Sequence, residues 1–492
     1  MIESLTINQL LKYTELPEIF LVISSLLLIV IGVIKGNKFT AKLTIFSIII
    51  LAISFFFLLG ITDQHLKYLD LFYHDDGFTK LVKIIIIISA IIALILYVGH
   101  LEYNIVNSRF EFPILIIFSV IGMMIMVSAK DFLTLYMGLE LQSLAIYILV
   151  SINSSSLKSS EAGFKYFILG ALSSAILLYG VSLIYGFTGS INFADIALIV
   201  KENERNIGII LALVFVFISL AFKVSAVPFH MWTPDVYEGA PTPVTLFLGT
   251  APKLAAFIAL FRVLGEAFPN LYKDWHILIN VIAVASLFIG AFGAIMQQNF
   301  KRLLAYSSIN HVGFILLAIS VFNSEAIEAM LFYIIIYITL IFASFAFLMI
   351  VKQSHASADT ADKKPLEEIY AYSGIAKTMP ITALGMMIIL LSMTGIPPFA
   401  GFFAKFYLFK AILASGHYNL AILAAISAVI ATFYYLKIIK IMFFDELNET
   451  YNKKPTLATT LIFTLMLIIN LLYFVKPTII KEVTEQAVQT LF

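Results

Sequence analysis

Apolar residues run along this chain in long blocks, and polar residues collect in the short stretches between them. The block "IIIIISAIIALILYV" at 84–98 is one of many such runs from end to end. Each can cross a hydrocarbon core, which takes about 20 residues of helix. The pattern predicts fourteen spans, at about 17–34, 42–60, 81–98, 112–128, 131–150, 162–186, 208–227, 243–264, 277–296, 303–321, 328–350, 380–396, 418–443 and 458–475. Spans 7 and 12 continue past a break, to about 238 and 414. No segment alternates apolar and polar residues as a membrane barrel strand does. The predicted fold is an all-α polytopic membrane protein.

The breaks recur in a related form. "AVPF" (226–229) interrupts span 7 and "IPPF" (396–399) interrupts span 12, each with a lysine within two turns. A broken helix inside a membrane exposes backbone groups that only protein or water can satisfy. Spans 7 and 12 cross in opposite senses, so spans 4–8 and 9–13 are expected to form two inverted five-helix repeats, an arrangement typical of ion-coupled transporters. Residues 1–492 then form a single membrane domain. Its parts are N-terminal spans at 17–98, a first repeat at 112–264, a second at 277–443 and a last span at 458–475.

Composition agrees and narrows the chemistry. The chain is 61% hydrophobic and only 12% charged, against roughly twice that charge in a soluble globule. No basic segment or small-residue cleavage site marks the first span as a removed signal. There are no cysteines, which excludes disulfides and thiolate-held iron–sulfur clusters or haem on this chain. A net charge of +1 argues against a nucleic-acid partner, and no glycine-rich nucleotide fingerprint is present. Lysines and arginines favour one side of the membrane by fourteen to ten, which predicts both termini outside and the polar 351–379 linker inside.

The few ionisable residues within spans carry the functional signal. They are Glu140, Lys165, Lys223, Lys253, His311, Lys405 and Lys437. A charge at a helix centre costs roughly 2.5–3.5 kcal/mol on insertion scales, so these groups are expected to face protein, water or each other and to mark an ion or proton path. Glu140 is the natural counter-ion, with Tyr136, Ser143 and Tyr147 on its face. Lys223 precedes Pro228 by less than two turns, and Lys253 follows Pro252, which leaves the carbonyl of Leu248 without its helical donor. Lys405 lies deep in the second half of span 12. Lys165 stands in the first turns of span 6, where it can reach the interface. His311 shares a face with Ser307 and Ser308 and suits a proton relay. Lys437 is placed to snorkel. A structural reading, with the charges only pinning helices together, competes at each position.

Four long segments then point to a family. "LYMGLELQSLAIYIL", "AFKVSAVPFHMWTPDVYEGAPTPV", "KRLLAYSSINHVG" and "GIPPFAGFFAKFYLF" closely resemble the N-type antiporter-like subunits of bacterial respiratory complex I, the NADH–quinone oxidoreductase. Subunits of multisubunit sodium/proton antiporters share the second segment, and they are the rival reading. "GLELQSL" and the lysine in "GFFAKFY" fit the N type. The resemblance implies a proton-translocating membrane-arm subunit, with Glu140 and Lys223 as a charge pair at the channel entrance. Lys253 would be the central relay, Lys405 the outlet-side lysine, and Lys165, in "EAGFKY", a modulator of the pair. It implies no catalytic redox site and no cofactor on this chain; NADH, FMN, iron–sulfur clusters and quinone would bind other subunits. Its partners would be the antiporter-like subunit M, the small membrane subunits and the lipid bilayer. Its location would be the bacterial inner membrane, or the mitochondrial inner membrane if organellar. Pro252 is not expected in every relative and leaves the geometry around Lys253 open.

Overall fold

Every predicted span becomes helix in the computed structural model, which describes residues 15–60, 72–103, 108–202, 206–354, 366–447, 451, 454–476 and 478–491. The middle of the expected polar linker, 355–365, lies outside the described residues, as do Lys12, Lys67, Arg205 and Lys453 of the charge count. Among the described residues there are nineteen α-helices, and bridging between extended segments is limited to three isolated pairs. Among these residues, twelve helical stretches are long and apolar enough to cross a membrane. The twelfth and fourteenth predicted spans are shorter, α15 (Pro380–Thr394) and α18 (Leu457–Leu472), at 15 and 16 residues. At 1.5 Å per residue such a helix is only about 23 Å long, and α15 is one half of a broken span.

The helices pack into two compact units. The first holds α1 (Leu16–Lys35), α2 (Thr40–Gly60), α3 (Gly77–Tyr103), α4 (Glu111–Ser128), α5 (Phe132–Val150), α6 (Leu157–Thr188), α7 (Phe193–Glu202), α8 (Ile207–Val224) and α11 (Ala251–Arg262). Within it, α4 lies along α5, α6 along α8, and α11 is enclosed by α3, α4 and α8. All twelve residues of α11 are buried. Local sequence sets these ends: Asp131 caps α5 by accepting from the backbone of Leu133 and Thr134, each at 2.8 Å, which satisfies donors that a helix start leaves free.

The second unit holds α9 (Trp232–Gly239), α10 (Thr242–Leu248), most of α12 (Tyr272–Ile295), α13 (Phe300–Val321), α14 (Ser324–Ser354), α15, α16 (Ala400–Ala414), α17 (Tyr418–Phe444), α18 and α19 (Thr478–Val488). Its core is α14, which packs against α13, α15, α16, α18 and α19.

The breaks fall where the prolines predict. α8 ends at Val224, Ser225 takes a left-handed backbone (φ 69°), and helix resumes at Trp232. In span 12, Gly395 (φ 86°) closes α15, and α16 begins at Ala400. Span 8 differs from its prediction. It is two helices, α10 and α11, separated at Gly249–Thr250, so Lys253 stands in the first turn of a helix rather than mid-helix. Pro252 falls in that first turn, where its missing N–H costs nothing. The helices α7 and α19 are short, with polar and apolar residues mixed, and a span-length hydropathy reading passes over them.

Candidate functional site

In the first unit, one face of α5 presents Glu140, Ser143 and Tyr147 at helical spacing. Ser174 of α6 donates its hydroxyl to the Glu140 carboxylate. One turn on, Ser143 Oγ accepts from Lys223 Nζ at 2.8 Å and donates to the carbonyl of Leu139 at 2.6 Å. Lys223 Nζ also donates to Tyr147 Oη at 3.2 Å, and stands 5.7 Å from the centre of that ring. The lysine is only 7% exposed. Tyr147 reaches it because α6 has glycine at 170: a Cβ there would come within 1.9 Å of the tyrosine hydroxyl. Ser173 and Ser219 hydrogen-bond at 2.9 Å and join α6 to α8 at the same level.

Glu140 and Lys223 are therefore brought to one cluster, but among the described residues no direct ion pair joins them within 4 Å. Hydroxyls hold the ammonium, and the carboxylate acts on it through its field. We expect the two to be coupled. The double mutant Glu140→Gln/Lys223→Met should lose less stability than the sum of the single mutants, by about 0.5–3 kcal/mol, the usual range for neighbouring groups. Strict additivity in thermal stability of the assembled protein would mean the charges do not sense each other.

Lys253 lies in the same unit and is 3% exposed among the apolar residues of α11. Lys165 is placed differently. Its side chain is 42% exposed, and its ion pair is with Glu161, one turn earlier on α6, at 2.7 Å.

The structure adds charges that the span-centred reading missed. Arg262, 2% exposed at the end of α11, donates to Asp76 at 2.6 Å, to Glu266 at 2.7 Å and to Thr79 Oγ1 at 2.6 Å. His74 Nε2 lies 2.7 Å from the far oxygen of Glu266. Burial would raise the Asp76 carboxyl, but the Arg262 guanidinium and the Thr79 hydrogen bonds outweigh it and hold it below the usual carboxylate range. Burial lowers His74, against the opposing effect of its hydrogen bond to the Glu266 carboxylate. Lys83 pairs with Glu18 at 2.7 Å, and both side chains are nearly buried. Glu18, buried in α1, is thus a second carboxylate within a span beside the half-buried Glu140. These charges sit near span ends, where they read as interface anchors, and, Arg262–Glu266 apart, their partners are far along the chain.

In the second unit, His311 is the centre of a hydroxyl cluster. Its Nδ1 lies 2.6 Å from Tyr333 Oη and its Nε2 lies 3.3 Å from Tyr435 Oη. Tyr435 pairs with Ser307, and Tyr337 donates to Ser308 at 2.8 Å. Lys405, 7% exposed, donates to the carbonyls of Thr394 at 2.8 Å and Met393 at 3.1 Å. These acceptors are the last carbonyls of α15, left free by the break and lying at the negative end of its dipole. Gly401 lets α16 approach them, since a Cβ there would meet the carbonyl oxygen of Ser392 at 1.9 Å. A cavity of about 10 Å³, lined by His311, Tyr337, Ser392 and Lys405 among others, lies between the two groups. That is about the room one water needs, roughly 10–15 Å³.

At the other end of this unit, Lys301 is 2% exposed and donates to the carbonyl of Ala240 and to Glu367, both at 2.9 Å. Lys352 reaches the same Glu367 oxygen at 2.6 Å. Burial would raise the Glu367 carboxyl, but the two ammoniums hold it well below its ordinary range. Arg302 binds Asp235 at 2.6 Å and Glu238 at 3.2 Å, tying α9 to α13. Among the described residues, no group of three or more histidine, aspartate or glutamate side chains is arranged to hold a metal ion.

Residues 129–431 match the family model described as "NADH:quinone oxidoreductase/Mrp antiporter, TM". NADH-quinone oxidoreductase subunit N of Paramagnetospirillum magneticum is 40% identical over 482 residues, 97% of each chain. The chain belongs to the NADH-quinone oxidoreductase subunit N family. Subunit N proteins of other bacteria align with it over comparable lengths, that of Pelagibacter ubique being 42% identical over 96% of this chain and 98% of its own. Like them it is a multi-pass membrane protein. A chain of the respiratory complex I of Thermus thermophilus, solved with bound aureothin, superposes with a TM-score of 0.77 at 27% identity, covering 95% of this chain and 98% of that one. The subunit N fold is shared more widely than its sequence. A chain of the Mrp complex of Dietzia sp. superposes as well, at a TM-score of 0.79 over 96% of each chain, but is 20% identical. Fold alone does not separate the two assemblies; sequence does.

Proposed function

We propose that this chain is a proton-translocating subunit of the membrane arm of NADH–quinone oxidoreductase, which couples electron transfer on other subunits to proton movement across the membrane. The observation that carries the reading is the company of its buried lysines. Lys223 is held by two hydroxyls and Lys405 by two carbonyls. A lysine that only pins helices together would be bonded to a carboxylate and locked in its charged form. Neutral acceptors satisfy the ammonium while leaving the proton free to depart, and burial makes lysine responsive to small changes around it.

Glu140 sets the field at the entrance and Lys165 modulates it from the lipid-facing side. Lys253 is the central relay. In the second unit His311 passes protons to Lys405 through the hydroxyl cluster and the one-water cavity. NADH, FMN, iron–sulfur clusters and quinone belong to other subunits in this account. The partners are subunit M and the small membrane subunits, in a bacterial inner membrane with both termini outside. A sodium/proton antiporter subunit uses the same fold, and 40% identity to subunit N favours the redox-coupled assembly.

The test is purification of the tagged full-length chain in mild detergent. It should bring down NADH:quinone reductase activity. Recovery of sodium/proton exchange activity on reconstitution, with no NADH oxidation, would assign it to the antiporter complexes instead.

A further inference from the structure

A second cavity, of about 430 Å³, lies between the start of α14, the end of α16 and α19. Glu328 and Phe332 line it from α14, Tyr407 and Lys410 from α16, and Lys481 and Glu485 from α19. Its lining follows that of the one-water cavity along α14 and α16: Tyr333, Ile336, Ala404 and Lys405 line the inner space, and Phe332 and Tyr407 the outer one. Phe332 and Tyr407 meet edge to face, with ring centres 5.2 Å apart. Along both helices the ring pair comes next after residues of the inner lining, and the Tyr407 hydroxyl is its one polar atom.

Glu328 is half-buried and, among the described residues, has no ion pair within 4 Å. Its charged surroundings are Glu325 on its own helix, Lys410 on α16, and Lys481 and Glu485 on α19. Lys481 stands 5.6 Å over the ring of Tyr407, so a cation faces the barrier from the outer side. A carboxylate with no ion pair among the described residues, in a cavity whose α16 lining starts at Tyr407, two residues past the buried Lys405, is placed to receive a proton.

Resting on the reading of this chain as a proton carrier, we infer that Glu328 is the outlet acid of the second unit, separated from Lys405 by the Phe332–Tyr407 ring pair. The Lys405 ammonium gives up a proton and becomes a neutral amine. The proton crosses at the Tyr407 hydroxyl when the rings part. The Glu328 carboxylate takes it up as carboxylic acid and releases it to water. No electron moves. The C-terminal helix α19 forms the outer wall of the mouth, and its Lys481 and Glu485 face the Glu328 carboxyl there.

The experiment compares Glu328→Gln, Glu328→Asp and Lys405→Met in the whole complex, reconstituted in sealed vesicles and matched for assembled protein. The readout is the initial rate of NADH-driven proton pumping across external pH. Glu328→Gln should lower the rate by about tenfold, less than the roughly 10²–10⁴-fold of a buried acid–base group, because water reaches the same cavity. Glu328→Asp should restore most of it, with an altered pH profile. If Glu328→Gln pumps at the wild-type rate while Lys405→Met does not, the outlet assignment is wrong and the proton-carrier reading stands. Equal impairment in Gln and Asp variants would give Glu328 a packing role and also overturn the assignment. Wild-type pumping by Lys405→Met would instead remove the reading on which the inference rests.

Discussion

Complex assembled with Lys223→Met should pump protons at about a hundredth of the wild-type rate or less, the scale set by removing one positioned acid–base group. Methionine is close to lysine in shape, though one atom shorter, and cannot carry a proton. The substitution leaves Ser143 Oγ and Tyr147 Oη without their donor, which costs roughly 1–3 kcal/mol in a buried site. Such a loss is tolerable for a chain with this much buried helix, so assembly should survive and the defect should appear as pumping. The measurement is proton uptake by vesicles during NADH oxidation, normalised to assembled complex. Wild-type pumping would reduce Lys223 to a structural lysine.

Arg262→Met should instead prevent or weaken folding, by about 3–5 kcal/mol, the typical result of breaking a buried ion pair from one side. It strands Asp76 and Glu266 together, within a cluster where one guanidinium now serves both. The effect should depend on pH with a definite sign. Asp76 is held below its unfolded value, near 3.9 for a free aspartate, so the stability it contributes is present above that value and lost as pH falls through its folded one. The variant lacks that contribution, so its deficit against wild type should narrow as pH drops below about 4. Thermal unfolding of the purified complex, with Asp76→Asn added as a partial rescue, checks both points. A deficit that widens in acid would show that Asp76 is not the group being stranded.

How much of this could be read from residues alone follows from the range of the forces involved. Helix identity is local: apolar blocks and the prolines at 228 and 398 mark the spans and two breaks without any tertiary knowledge. The third break was missed because Gly249 and Thr250 interrupt a span whose hydropathy stays high. Buried lysines at 223, 253 and 405 were legible because a charge in an apolar run has a large and certain cost. Their partners were not. Glu140 seemed the direct mate of Lys223, yet Ser143 and Tyr147 lie nearer, and only the packing of α5, α6 and α8 decides that. Lys405 binds carbonyls eleven and twelve residues away, which no spacing rule identifies. Arg262 and Asp76, 186 residues apart, each looked like an ordinary residue at the end of a span.

The central claim is that protons pass through titratable side chains of this chain, and Lys405 offers the most direct measurement of it. Its ammonium is hydrogen-bonded to two backbone carbonyls and lies over the Phe314 ring, so replacing it disturbs no ion pair and largely separates titration from packing. Histidine at this position can still accept and release a proton near neutral pH, whereas methionine cannot. In vesicles carrying equal amounts of assembled complex, Lys405→His should retain much of the wild-type proton pumping during NADH oxidation, and Lys405→Met should lose most of it. Equal pumping by the two variants would contradict the account and send the proton path elsewhere.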